Sequence, residues 1–128
     1  LYPILCVGES NKERNDGRTD IILKEQLELA LNNIDRLKLI NLIIAYEPVW
    51  AIGSGVNANP EEIQSAHSVI RNYITNIGID GNSISIVYGG SVSVNNASSL
   101  SKIDGVDGFL IGGASLEVDN FYSIYKTL

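Results

Sequence analysis

The sequence predicts an α/β fold built around a parallel sheet. Short apolar runs alternate with longer segments whose apolar residues recur every three or four positions, and this happens four times. Three of the runs stop at a glycine (Gly8, Gly89, Gly112), and at least the first reads as a strand buried on both faces. Sequential β-α units imply right-handed crossovers between parallel strands. Open doubly wound sheets and closed barrels both satisfy that order, and periodicity does not choose between them. No low-complexity linker interrupts the chain, so residues 1–128 are taken as one domain.

The first strand is Ile4-Leu5-Cys6-Val7, followed by a polar stretch from Ser10 to Arg18 with Asn15-Asp16-Gly17 as a turn signal. Thr19 or Asp20 then caps a helix with its stripe at Leu23, Leu27, Ala30, Leu31 and Ile34. Leu42-Ile43-Ile44-Ala45 is the second strand. The clearest helix start follows, with Asn59 as N-cap, Pro60 in the first position and Glu62 three residues after the cap. The stripe there is Ile63, Ala66, Ile70, Tyr73, Ile74 and Ile77, ended by Gly78. Ile84 to Tyr88 forms the third strand and Asn95 to Ser101 a short helix. Phe109-Leu110-Ile111 is the fourth strand, and Leu116 to Leu128 the closing helix.

Composition narrows the partners. The chain is 45% hydrophobic, 19% charged and carries a formal charge of -6. That balance argues against a nucleic-acid or anionic-membrane surface, which needs clustered Lys and Arg. No apolar run reaches the roughly 18 residues of a spanning helix. Cys6 is the only cysteine, which fits a reducing, cytosolic setting. The chain opens without Met inside a strand-like run, and the expectation is a piece of a longer protein.

Ligands in parallel α/β folds meet the loops at the carboxyl ends of the strands. Two of those loops hold glycine pairs, Gly89-Gly90-Ser91 and Gly112-Gly113. Without Cβ atoms such loops can turn main-chain N–H groups toward an oxyanion, and a following helix N-terminus adds partial positive charge. Tight turns alone are the competing reading. Glu47 stands at the end of the second strand, directly before Pro48. A carboxylate there can take a proton from a substrate carbon; a salt bridge at the rim is the alternative. Val49, Trp50 and Ile52 are too apolar for an ordinary exposed loop, while Gly53 and Gly55 supply mobile backbone. The segment reads as a lid, or else as a loop packed permanently on the surface.

The run Ala45-Tyr46-Glu47-Pro48-Val49-Trp50-Ala51-Ile52-Gly53-Ser54-Gly55 closely resembles the active-site signature of the triosephosphate isomerase family. Cys6-Val7-Gly8-Glu9, Tyr88-Gly89-Gly90-Ser91-Val92 and Leu110-Ile111-Gly112-Gly113-Ala114-Ser115-Leu116 match the same family in the same order, so the resemblance covers the whole chain. It implies a TIM (β/α)8 barrel of which this chain supplies four βα units, strands 5 to 8. It also implies an isomerase of glycolysis and gluconeogenesis that interconverts dihydroxyacetone phosphate and D-glyceraldehyde 3-phosphate without metal or cofactor. Glu47 would be the catalytic base, and Gly53, Ser91, Gly112 and Gly113 would offer donors to the substrate phosphate. Residues 48 to 58, including Pro48, Val49, Trp50, Ala51, Ile52, Ser54 and Gly55, would form the lid. Tyr88 is expected to bond the shut lid near Ala51, and Glu9 and Cys6 to support Trp50 and Glu47. Arg71 and Asp107 match a family ion pair that braces helix against strand. His67 does not match the family's electrophilic histidine and is placed on the solvent side of its helix.

Two departures stand out. The far end of the lid reads Val56-Asn57-Ala58 where the family commonly has Lys first, which bears on lid opening more than on chemistry. Ser54 replaces the usual Thr. The larger gap is the N-terminal half, since a full barrel needs about 250 residues. The family's Asn and Lys after the first strand, its His after the fourth, and the loop that makes most of its homodimer contact have no counterpart here. The 128 residues alone are therefore expected to be inactive. A phosphate-binding half-barrel without catalysis is the competing function, but it would need neither Glu47 nor the lid. Other sugar-phosphate barrels lack the Glu-Pro-Val-Trp run.

Overall fold

The computed structural model describes residues 1–35, 39 and 41–128. Four strands, β1 (Ile4–Val7), β2 (Ile43–Tyr46), β3 (Ser85–Tyr88) and β4 (Gly108–Phe109), make one parallel sheet in chain order. Cys6 pairs with Ala45, Val7 with Tyr46, Tyr46 with Tyr88, and Tyr88 with Phe109. The helices are α1 (Asn11–Asn15), α2 (Thr19–Leu31), α3 (Pro60–Asn76), α4 (Ala97–Leu100) and α5 (Val118–Tyr125). This is the form that half of a (β/α)8 barrel takes, with β1 and β4 at the edges of the sheet among the described residues.

The period of two along each strand sorts its side chains. Val7, Ile44, Tyr46, Ile86 and Tyr88 are buried together with Leu23, Leu27 and Leu31 of α2 and Ile63, Ile70 and Ile74 of α3. The alternate residues Ile4, Cys6 and Ser85 lie exposed. The α2 and α3 stripes reach this core as their spacing predicts, except that Ile34 is exposed.

α3 begins as its sequence requires. The Asn59 side chain accepts from Glu62 N (2.8 Å) and Glu62 Oε2 accepts from Asn59 N (3.0 Å), with Pro60 at the start. Thr19 and Asp20, by contrast, do not cap α2. Thr19 is already helical, and Arg18 precedes it with no side-chain cap. The polar stretch before it is not a plain turn: Ser10 and Glu13 form a capping box that starts α1. β4 lies at Gly108–Phe109, ahead of Leu110 and Ile111, and α4 holds only four residues. α5 begins at Val118, after a 3-10 turn over Gly113–Leu116.

His67 is not solvent-facing; it is 0% exposed. The loop before β4 folds over it, and the Gly105 carbonyl lies 2.9 Å from Nδ1. Its ring meets Tyr46 edge-on at 5.9 Å, and Nε2 has no hydrogen-bond partner among the described residues. Burial is the leading cause that pushes its pKa down to about 4. Arg71 and Asp107 do pair, at 2.7 Å, and Asp107 also accepts from Ile86 N. The pair thus fastens α3 to the sheet.

Candidate active site

Glu47 follows the last residue of β2, and its main chain prolongs the ladder. Its N–H donates to Val7 O (2.8 Å), while Gly89 N donates to Tyr46 O (2.8 Å). Residue parity turns Glu47 to the sheet face that carries Cys6 and Ala45. Two glycines make room for it. A Cβ at Gly89 would lie 2.6 Å from Glu47 Cγ, and one at Gly8 would lie 1.9 Å from the Glu47 carbonyl oxygen. Gly8 is further held by Gln26 of α2, which accepts from its N–H (2.8 Å) and donates to its carbonyl (3.0 Å).

Cys6 stands beside Glu47. Partial desolvation of this largely exposed residue first, then the hydrogen bond and charge of Glu47, push the thiol up to about 11, so it stays protonated near neutrality. Glu9 is 1% exposed, and its carboxylate accepts from Trp50 Nε1 (2.8 Å) and Tyr46 OH (3.2 Å). Burial and then the Glu9 charge hold the Tyr46 phenol well above its ordinary pKa, which keeps it a donor.

The lid leaves β2 through buried Pro48 and a 3-10 turn over Val49–Ala51. Ser91 holds its middle: the hydroxyl donates to Ala51 O (2.8 Å) and accepts from Gly55 N (3.2 Å). Gly53 and Gly55 take positive φ of 63° and 74°, and Ser54 Oγ accepts from Val56 N at 3.1 Å. Tyr88 does not bond near Ala51. Its phenol accepts from Ala58 N at 3.4 Å, at the far end of the lid, and it is Ser91 that donates to Ala51 O.

A cavity of about 490 Å³ brings together Glu47, Gly53, Ser91, Gly112 and Gly113. Ile52 and Gly55 of the lid also line it, while Trp50 points the other way, to Glu9. None of the main-chain hydrogen bonds among the described residues uses the N–H of Gly53, Ser91, Gly112 or Gly113. These donors are available to an oxyanion. The short helix expected over Asn95 to Ser101 is confined to Ala97–Leu100, six residues after Ser91. Among the described residues lining the cavity there is no Lys, Arg or His. What the arrangement offers is a carboxylate and four N–H groups without main-chain acceptors on the wall of one cavity.

Three supporting residues escaped the sequence reading. Gln26 pins Gly8, and Asn96 secures the Ser91 loop by donating to Ser91 O (2.9 Å) and accepting from Ser93 N (2.8 Å). Arg14 lays its guanidinium 4.1 Å from the centre of the Trp50 ring. Only Asn96 had a local signal, an Asn three residues after Ser93 that can close a turn.

The family model described as triosephosphate isomerase matches residues 1–128. The chain is 46% identical over 122 residues to the triosephosphate isomerase of Lawsonia intracellularis, covering 94% of this chain and 48% of that one. It is 46% identical over 127 residues to that of Rhizobium meliloti (98% and 49%) and 43% identical over 127 residues to that of Buchnera aphidicola subsp. Schizaphis graminum (98% and 50%). The chain spans about half the length of the curated relatives it matches.

Proposed function

The chain belongs to the triosephosphate isomerase family, and from that premise we propose that it serves as the C-terminal half of an eight-unit barrel enzyme interconverting dihydroxyacetone phosphate and D-glyceraldehyde 3-phosphate. Glu47 takes a proton from one substrate carbon and returns it to the neighbouring carbon through an enediolate. The N–H groups of Gly53, Ser91, Gly112 and Gly113 hold the phosphate. The lid, residues 48 to 58, keeps water out while the enediolate exists. Cys6 packs beside the base, Glu9 steadies Trp50, and Tyr88 holds the far end of the lid. In this reading the reaction needs no metal or cofactor. The intact protein is a cytoplasmic homodimer joined mostly by residues outside this chain.

One observation carries the proposal: Glu47 and all four phosphate donors line a single cavity. A phosphate binder without catalysis has no use for a carboxylate facing its own anion. The test is triose phosphate turnover by the intact eight-unit protein and its Glu47→Gln variant. Loss of the general base lowers kcat by about 10²- to 10⁴-fold. Unimpaired turnover by that variant would reject the assignment.

A further inference from the structure

Trp50 is gripped from the segment that leaves β1. Glu9 accepts from the edge of its indole at 2.8 Å, and five residues on, α1 delivers Arg14 over its face at 4.1 Å. The guanidinium does not end there. Arg14 Nε donates to Glu62 Oε1 at 2.9 Å, and the other oxygen of that carboxylate accepts from Asn59 N at 3.0 Å. Asn59 follows Ala58, the far end of the lid, and Trp50 lies in its near end.

We propose that Arg14 is a positioning residue that ties the two ends of the lid together and holds it drawn over the cavity. The inference rests on the isomerase reading of that cavity. The Arg14 side chain is 35% exposed and Glu62 32%, so neither the stack nor the ion pair is a surface contact fully screened by water. The stack holds the near end of the lid directly, and the ion pair reaches past its far end through Glu62, which accepts from Asn59 N. A guanidinium suits this task better than an ammonium, because its plane stacks on indole while its N–H groups serve a carboxylate. α1 exists to present it: Ser10 and Glu13 start a helix of five residues whose fourth is Arg14.

A double-mutant cycle in the intact eight-unit protein tests this, with Arg14→Met and Trp50→Leu made singly and together. Arg14→Met is expected to lower kcat/KM by about tenfold in the unmutated background, from the loss of a partly desolvated cation–π contact and its ion pair. In the Trp50→Leu background the same change is expected to cost about twofold or less. Arg14→Lys, which keeps the charge opposite Glu62, recovers part of the loss with little change in Tm. Equal losses from Arg14→Met in both backgrounds, or no loss in either, overturn the proposal. So does failure of both Arg14 variants to fold, which would make the residue one the fold itself depends on. If the unmutated protein turns over no triose phosphate, the function itself fails and takes this inference with it.

Discussion

At the scale of single residues, two glycines touch the same glutamate and answer differently to a methyl group. At position 8 the added carbon meets the Glu47 main-chain carbonyl, 1.9 Å away, and a backbone within the sheet cannot yield. Gly8→Ala is expected to lower stability by about 1–3 kcal/mol, read by chemical denaturation. At position 89 the carbon meets Glu47 Cγ at 2.6 Å, part of a side chain that can swing aside. Gly89→Ala should therefore leave the fold nearly as stable but displace the carboxylate. A shift of about 1 Å costs on the order of a hundredfold in rate, so the intact protein should lose kcat far more than stability. Steady-state kinetics beside a thermal melt separates the two outcomes.

Elements hold together through contacts that the local pattern announces only in part. α3 is joined to the loop before β4 by the Arg71–Asp107 pair and by His67 beneath Gly105. With its folded pKa pushed down to about 4 against an ordinary 6.5, His67 stays neutral where the unfolded chain takes up a proton. Its contribution is thus fully present above pH 6.5 and is lost as the pH falls from there to about 4. Denaturation at several pH values should show a steeper acid loss in the parent than in a His67→Gln variant, and identical slopes would refute the assignment. The start of α3 was legible because Asn59, Pro60 and Glu62 act within one turn. The first strand was legible over its whole length, Ile4–Val7, whereas β4 stops at Phe109 and not at Ile111. Nothing local marks His67, since a loop 38 residues away covers it, nor Gln26 and Arg14, whose partners lie 18 and 48 residues off. α1 is encoded by Ser10 and Glu13, and the turn signal at Asn15-Asp16-Gly17 marks its end and not a loop through the whole stretch.

For the whole molecule, four strands with β1 and β4 at the sheet edges among the described residues, and a cavity wall without any described cation, set what the 128 residues do alone. Isolated, they are expected to show triose phosphate turnover at least a hundred- to a thousandfold below the intact protein, the usual cost of one absent oxyanion donor. Exposed Ile4 on β1, together with Leu116, Val118, Phe121 and Tyr125 around α5, should drive self-association. Sedimentation of the isolated chain as a compact monomer would contradict this. The pairing of Tyr46 with Tyr88 reaches further than the sheet. At one level of the ladder, neighbouring strands send their phenols to opposite extremities of the same eleven-residue flap. One arrives by way of Glu9 and Trp50, the other directly at Ala58. Strand alignment is then a ruler for the flap: a slip of a single residue between β2 and β3 would carry one phenol to the other side of the sheet and unhook an anchor without altering any residue of the flap itself.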